Sequence, residues 1–215
     1  MGLVSLKGVG KSFGRKKILG DINLEINKDE IVGIVGPSGS GKSVLVKMLI
    51  GFFHPTEGSI DFEMSPTIGF SMQDNSLYEH LNVRQNAKYF SKIYDVSKKD
   101  RKERIPKLIE SLDLKEFEKV LVKNLSGGTK KRVDLLCSLI NNPDILILDE
   151  PFLGLDPSLV KALSKYILEL HKLGKTIIIS SHRTNELSYL ATRMLMVKNK
   201  TLKEITKSEI NNAYI

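Results

Sequence analysis

The chain is short of the residues that would cross-link it or carry it through a membrane. One cysteine, Cys137, stands among 215 residues, so no internal disulfide can form. Its place in an apolar helical run reads as a buried, inert thiol rather than a nucleophile. A chain without disulfides suits a reducing cytoplasm. No stretch approaches the roughly 18 apolar residues of a membrane-spanning helix. The longest strongly apolar runs, Ile31–Val35 and residues 145–148, are strand-length. The opening MGLVSLKGVG lacks the charged start and long apolar core of a signal peptide, so none is expected. Internal repeats, low-complexity tracts, heptad runs and long Pro/Gly/Ser linkers are missing too.

What remains is a globular composition, 41% hydrophobic and 27% charged, in a chain long enough for one substantial α/β domain or two small ones. The net charge is +8, which suits nucleic acid, an anionic membrane surface or an anionic ligand. Part of the excess sits at residues 98–107, KKDRKERIPK. With Asp100 and Glu103 in it, this segment reads as a solvated helix face. It has no interleaved aromatics, which speaks against nucleic acid; proximity to a membrane surface explains it better.

Hydrophobic periodicity divides the chain. Residues 3–9, 18–19 and 22–26 alternate as strands do, with a turn expected at 12–16. Ile31–Val35 is continuously apolar and reads as a central buried strand. A glycine-rich turn, a helix over 42–50 and short strands at 59–62 and 67–71 follow. From 81 to 122 the pattern is helical: Leu81, Val83, Ala87, Phe90 and Ile93 suit one amphipathic face, and Ile105, Leu108, Ile109 and Leu112 another. Then come a helix from Gly128 to about 140, a strand at 145–148, a helix at 159–173 ending at Gly174, and strand Thr176–Ser180. A helix over 185–190, strands at 194–197 and 202–205 and a short polar tail complete the chain. Strands and helices in alternation predict an α/β fold: a mainly parallel sheet with covering helices, an N-terminal antiparallel β layer and an inserted helical segment.

Chemistry concentrates at two places. Gly36-Pro37-Ser38-Gly39-Ser40-Gly41-Lys42-Ser43 fits G-x-x-x-x-G-K-[ST], after a strand and before a helix. Glycines let backbone amides turn toward phosphate oxygens, and a helix N-terminus adds partial positive charge. Lys42 should reach the β- and γ-phosphates and the Ser43 hydroxyl should ligate Mg²⁺. The second place is Ile145-Leu146-Ile147-Leu148-Asp149-Glu150, a buried strand ending in two carboxylates where parallel sheets place their ligands. Asp149 is placed to organise Mg²⁺. Glu150, one peptide further on, can act as general base on the attacking water.

Between them stands Leu125-Ser126-Gly127-Gly128-Thr129. With it, the order of motifs resembles the ATP-binding cassette family over nearly the whole chain. The resemblance implies one cassette domain over 1–215, a P-loop NTPase fold with a helical subdomain inserted at about 74–123. It implies ATP hydrolysis with ATP and Mg²⁺ as ligands. Thr129 stands where the family's signature usually has glutamine. Ser126, Gly127 and Gly128 form a second helix-start anion nest, which in the family covers the γ-phosphate held by a second cassette, so a head-to-tail dimer is implied. Gln73 looks like the family's Q-loop glutamine, near Mg²⁺ or the attacking water. Asp156, in Gly154-Leu155-Asp156, looks like the D-loop aspartate and also reads as the cap of the following helix. His182 looks like the switch histidine that meets the γ-phosphate and orients Glu150. Phe13 lies where the family places an aromatic against adenine. His54, His80 and His171 carry no such pattern.

The reading that follows is an ATP-hydrolysing subunit docked on separate integral membrane transporter subunits at the cytoplasmic face, with export favoured by the wording of the signature and Asp-Glu motifs. Nucleic acid is not expected as a partner. The alternatives are a soluble cassette ATPase acting on DNA or ribosomes, and an inactive cassette in a heterodimer; the intact Lys42, Asp149, Glu150 and His182 argue against the last.

Overall fold

Alternation of buried and exposed side chains along Gly2–Phe13 (β1) and Lys16–Asn27 (β2) makes these segments strands with one dry face. They pair antiparallel, Val4 opposite Ile26 and Phe13 opposite Lys16. The computed structural model describes residues 2–73, 76–206 and 209. The turn between β1 and β2 is tighter than the expected 12–16: only Gly14 and Arg15 lie outside the strands, with Gly14 at φ 56°. No gap falls at 20–21: β2 runs through it, with Asp21 at a left-handed φ of 50°.

Every residue of Ile31–Val35 (β3) is buried, as a central strand requires. After it come Lys42–Leu49 (α1), Glu57–Phe62 (β4) and Ile68–Ser71 (β5). β4 pairs with the free edge of β1, giving a three-stranded antiparallel layer in the order β2-β1-β4. Val83–Ile93 (α2) and Lys98–Ser111 (α3) form the inserted helices, and Gly127–Leu139 (α4) leads back to the sheet. Ile145–Asp149 (β6), Pro157–Lys172 (α5), Thr176–Ser180 (β7), Thr184–Leu190 (α6), Arg193–Lys198 (β8) and Thr201–Ile205 (β9) complete the order. The large sheet runs β5-β6-β7-β3-β8-β9, with parallel neighbours except the β8–β9 hairpin.

The period of two along the parallel strands divides the core. Ile31 and Val35 of β3, Leu146 and Leu148 of β6, and Ile177 and Ile179 of β7 face α4, α5 and α6. Val32, Ile34, Ile145, Ile147 and Ile178 face α1 and the antiparallel layer. Helices on one side and a helix plus a small sheet on the other hold the strands' C-terminal ends in register. Asp149 is opposite Ser180, and Ile34 is opposite Ser180 across the next pair.

In α2 the dry face is Val83 and Ala87, with Phe90 and Tyr94 packed against it. Ile93, expected on that face, is 56% exposed. The run 83, 87, 90, 94 keeps the 3.6-residue period and Ile93 falls about 100° off it. α3 buries Ile105 and Ile109, with Leu112 buried just beyond it, as expected. Together α2 and α3 carry nine cations against three acids, six of the chain's net +8. Arg84, Lys88, Lys92, Lys98, Arg101 and Lys102 line a groove of about 690 Å³ between them. Cys137 is fully buried, and burial pushes its thiol well above the ordinary range, so it is inert. Of the expected polar tail, Thr206 and Glu209 are described and the rest lies outside the described residues, as do residues 74 and 75 at the start of the expected helical subdomain.

Candidate functional site

Glycines at left-handed φ shape the phosphate loop. Gly39 has φ 75° and Gly41 φ 108°, and a Cβ on Gly41 would lie 2.9 Å from Leu19 Cδ2. Gly41 caps α1 without a side-chain acceptor, and the first intrahelical bond is from Leu45 N–H to the Gly41 carbonyl. The amides of the first helical residues, Lys42, Ser43 and Val44, therefore have no acceptor within the helix and can donate to a ligand. Lys42 is buried, and its Nζ donates to the carbonyls of Gly36 at 2.8 Å and Pro37 at 3.2 Å. Burial holds its pKa below the usual lysine range, opposed by the charges of Glu150 and Asp149. The Ser40 hydroxyl is buried and has no hydrogen-bond partner among the described residues.

The two carboxylates stand at the C-terminal end of β6. Asp149 is 1% exposed and accepts a hydrogen bond from the Ser180 hydroxyl. Glu150 adopts φ 51°, uncommon for a residue with a side chain. Its N–H donates to the Ser180 carbonyl at 2.9 Å, which ties this conformation to β7. Its carboxylate accepts from the Ser181 hydroxyl at 3.2 Å and from His182 N–H at 3.1 and 3.3 Å, and His182 Nδ1 lies 2.9 Å from Oε2. A carboxylate there calls for a proton on Nδ1. Oε1 is 3.9 Å from Lys42 Nζ.

A cleft of about 480 Å³ collects Ser38, Gly39, Lys42, Ser43, Gln73, Glu150 and His182. Ser43 and Gln73 also line a second cleft that contains Asp149. So the sheet brings together the residues that the sequence places in the phosphate loop, the Asp-Glu pair, Gln73 and His182. Ser43, Gln73 and Asp149 offer a hydroxyl, an amide carbonyl and a carboxylate: hard oxygen donors that fit Mg²⁺. Among the described residues no three His, Cys, Asp or Glu side chains cluster as a metal cage. The orphaned Ser40 hydroxyl is a donor that a phosphate oxygen would satisfy.

Other expected residues lie outside this cleft. Ser126 caps α4, accepting from Thr129 N–H at 3.2 Å, with the Thr129 hydroxyl 2.9 Å from its own. A Cβ on Gly127 would meet nothing within 4 Å, whereas one on Gly128 would lie 2.6 Å from Leu159. Asp156 caps α5, accepting from the N–H groups of Ser158 at 2.9 Å and Leu159 at 3.0 Å. Phe13 packs edge-to-face on Phe53, centroids 5.2 Å apart, with Lys11 Nζ 5.2 Å from its ring. Of the remaining histidines, His171 Nε2 bonds the Asp29 carbonyl.

Sequence reasoning missed Ser180 and Ser181, which steady the two carboxylates; a pair of polar residues closing the apolar run 177–179 was the available signal. It also missed Asp134 and Lys131 on α4. The first accepts from Ser71, and the second donates to the main chain of Met72 and Gln73. Leu153 also lines the cleft.

Sequence comparison matches residues 19–153 to the family described as ABC transporter. A probable sulfate/thiosulfate import ATP-binding protein CysA from Chlorella vulgaris is 32% identical over 96% of this chain and 92% of its own. The Nod factor export ATP-binding protein I of Sinorhizobium fredii is 32% identical over 91% of this chain and 60% of its own. Among solved structures, cbiO1 from Clostridium perfringens, part of the ABC transporter complex cbiONQ, superposes with TM-score 0.86 at 26% identity, covering 98% of this chain and 91% of that one.

Proposed function

The chain belongs to the ABC transporter family of ATP-binding, ATP-hydrolysing proteins, and from that premise we propose that it binds Mg·ATP in the cleft at Lys42 and hydrolyses it with Glu150 as general base, working as a head-to-tail pair of cassettes on separate membrane subunits. The observation that carries this reading is the Glu150 carboxylate, fixed by Ser181 and His182 and facing Lys42 across 3.9 Å.

The geometry supports these roles. Lys42 exchanges its bonds to the Gly36 and Pro37 carbonyls for phosphate oxygens, which relieves the cost of a buried ammonium. The outward amides at the start of α1 and the Ser40 hydroxyl bind the remaining phosphate oxygens. Ser43, Asp149 and Gln73 would hold Mg²⁺, which when bound would neutralise phosphate charge. Glu150 takes the proton of the attacking water. His182, half exposed and tied to Glu150 through Nδ1, keeps that carboxylate oriented and turns its other nitrogen toward the γ-phosphate.

Two phosphate cradles on one chain, at separate places, support pairing with a second cassette, identical or different. Ser126, Gly127 and Gly128 would close over the nucleotide held by the partner, while Asp156 contributes at the same interface. ATP then favours the closed pair, because the γ-phosphate contacts exist only there. Moving such an equilibrium from 1:99 to 99:1 takes about 5.5 kcal/mol of differential binding, which two shared nucleotides supply. Among the described residues no helix is long and apolar enough to cross a membrane. Membrane subunits are therefore proposed as separate partners, with the chain peripheral on the cytoplasmic face and the helical subdomain at about 74–123 as the docking lobe. Export remains the favoured direction on the wording of the signature and Asp-Glu motifs; the relatives include proteins named for import and for export. Phe13 is assigned to the adenine side, at the rim.

Phosphate release by the purified chain tests the assignment. Wild type should turn over ATP, and Glu150→Gln should bind it with little turnover. Full turnover by that variant removes Glu150 as the base.

A further inference from the structure

One face of α4 grips the segment that carries Gln73 at both ends. At the near end the Ser71 hydroxyl, last in β5, donates to Oδ2 of Asp134. At the far end the backbone N–H of Ser76 donates to the same carboxylate. Between them Lys131 Nζ donates to the carbonyls of Met72 and Gln73, at 3.1 Å each. Lys131 and Asp134 are three residues apart and so share a helix face.

Packing does not call for a carboxylate here. Asp134 is 5% exposed, between Val133 and Leu135, which are buried and apolar. A buried charge is tolerated only when hydrogen-bonded and paired. Asp134 meets that condition through Ser71, Ser76 and the nearby Lys131 charge, all of them groups that fix the Gln73 segment. The same helix opens at Ser126, Gly127 and Gly128, so a single rigid rod joins the anion nest to the Gln73 main chain.

We propose that Asp134 and Lys131 are positioning residues for ATP hydrolysis: they clasp the Gln73 segment to α4, so that Gln73 is presented to the cleft only while α4 holds its place. Neither side chain touches the nucleotide; both act through the main chain around Gln73. The clasp rests on the proposed ATPase reading, and the further step, that a partner's phosphate seated on the α4 nest steadies Gln73 in the chain's own cleft, rests on the proposed pairing.

The test uses the full chain with Lys131→Met, Lys131→Arg and Ser71→Ala. It measures kcat and KM for Mg·ATP, equilibrium ATP affinity, thermal melting and amide hydrogen exchange at Ser76. The clasp predicts that Lys131→Met lowers kcat about tenfold, equivalent to about 1.4 kcal/mol on the barrier. ATP affinity should stay within about twofold, and Ser76 should exchange faster. Lys131→Arg, which keeps the donors, should restore most of the turnover, and Ser71→Ala should speed exchange without losing ATP binding. Wild-type exchange in Lys131→Met, or a lowered melting temperature with unchanged kcat per folded molecule, overturns the proposal. Wild-type turnover separates the two ideas. No hydrolysis by the unaltered chain sinks the ATPase reading, whereas unchanged exchange in Lys131→Met sinks the clasp alone.

Discussion

His182 Nδ1 lies 2.9 Å from Oε2 of Glu150, and the His182 main-chain N–H donates to both oxygens of the same carboxylate. Side chain and backbone of one residue thus fix the orientation of the other. β6 supplies the carboxylate and the loop after β7 supplies the clamp, so the pairing depends on the parallel register of Asp149 with Ser180.

This relationship predicts an uneven pair of variants. His182→Ala removes the ring but keeps the backbone donor. It should lower turnover by about 100-fold or more, the scale of a mispositioned general base, while ATP affinity falls only a few-fold. Phosphate release and nucleotide binding, measured on the same preparation, check this. A variant with near-wild-type kcat would show that the backbone N–H alone orients Glu150.

Gly41→Ala puts a Cβ 2.9 Å from Leu19 Cδ2 at φ 108°. Such strain costs on the order of 1–3 kcal/mol. ATP affinity should drop roughly tenfold or more, because the same turn presents the α1 amides. Gly127→Ala, with nothing within 4 Å of the new carbon, should leave ATP binding intact. Equal loss in both would break the link between left-handed backbone and phosphate binding.

Ser126→Arg places a long cation on the second anion nest. The variant should bind ATP as wild type does and fail to pair when ATP is bound without turnover, as in a Glu150→Gln background. Size-exclusion chromatography with light scattering reads the outcome, and undiminished pairing would remove Ser126 from the interface.

Asp134 yields a pH prediction. Burial pushes its carboxyl up to about 6, against the pull of the Ser71 hydroxyl, Lys131 and the Ser76 amide. Its unfolded value is near 3.8, so between these values the folded chain holds the proton more tightly than the unfolded one. The contribution to stability is therefore largest below about pH 4 and is lost as pH rises through 6. Asp134→Asn cannot titrate. Denaturant melts should show wild type losing stability relative to that variant by up to about 3 kcal/mol between pH 4 and pH 7. A gap that stays constant with pH would mean that Asp134 titrates normally.

Much of this was legible in the chain itself. Ile31–Val35 and the run before Asp149 are apolar at every position, and only a strand buried on both faces needs that. The glycines around Lys42 have few uses beyond a turn that approaches phosphate. Contacts between distant residues were not legible. The Ser71–Asp134 bond joins positions 63 apart, and nothing local marks Asp134 as different from any polar residue on a helix. Ile93 was placed on the dry face of α2 because an apolar residue near the helix end fits a loose periodicity; the stricter spacing that reaches Tyr94 depends on where α4 lies. Gly128 was read as part of the anion nest, and the structure adds a packing need: a side chain there would run into Leu159.

The groove between α2 and α3 bears on encounter rates. Cations on its walls attract acidic surfaces over about 10 Å at 0.1 M salt and only about 3 Å at 1 M. A partner with a negative face would thus reach this lobe faster than a neutral one, an advantage that high ionic strength erases. Two copies of the chain repel each other through these lobes. Self-recognition is thereby steered toward other parts of the surface, and collisions that would bury the groove against itself are discouraged before contact.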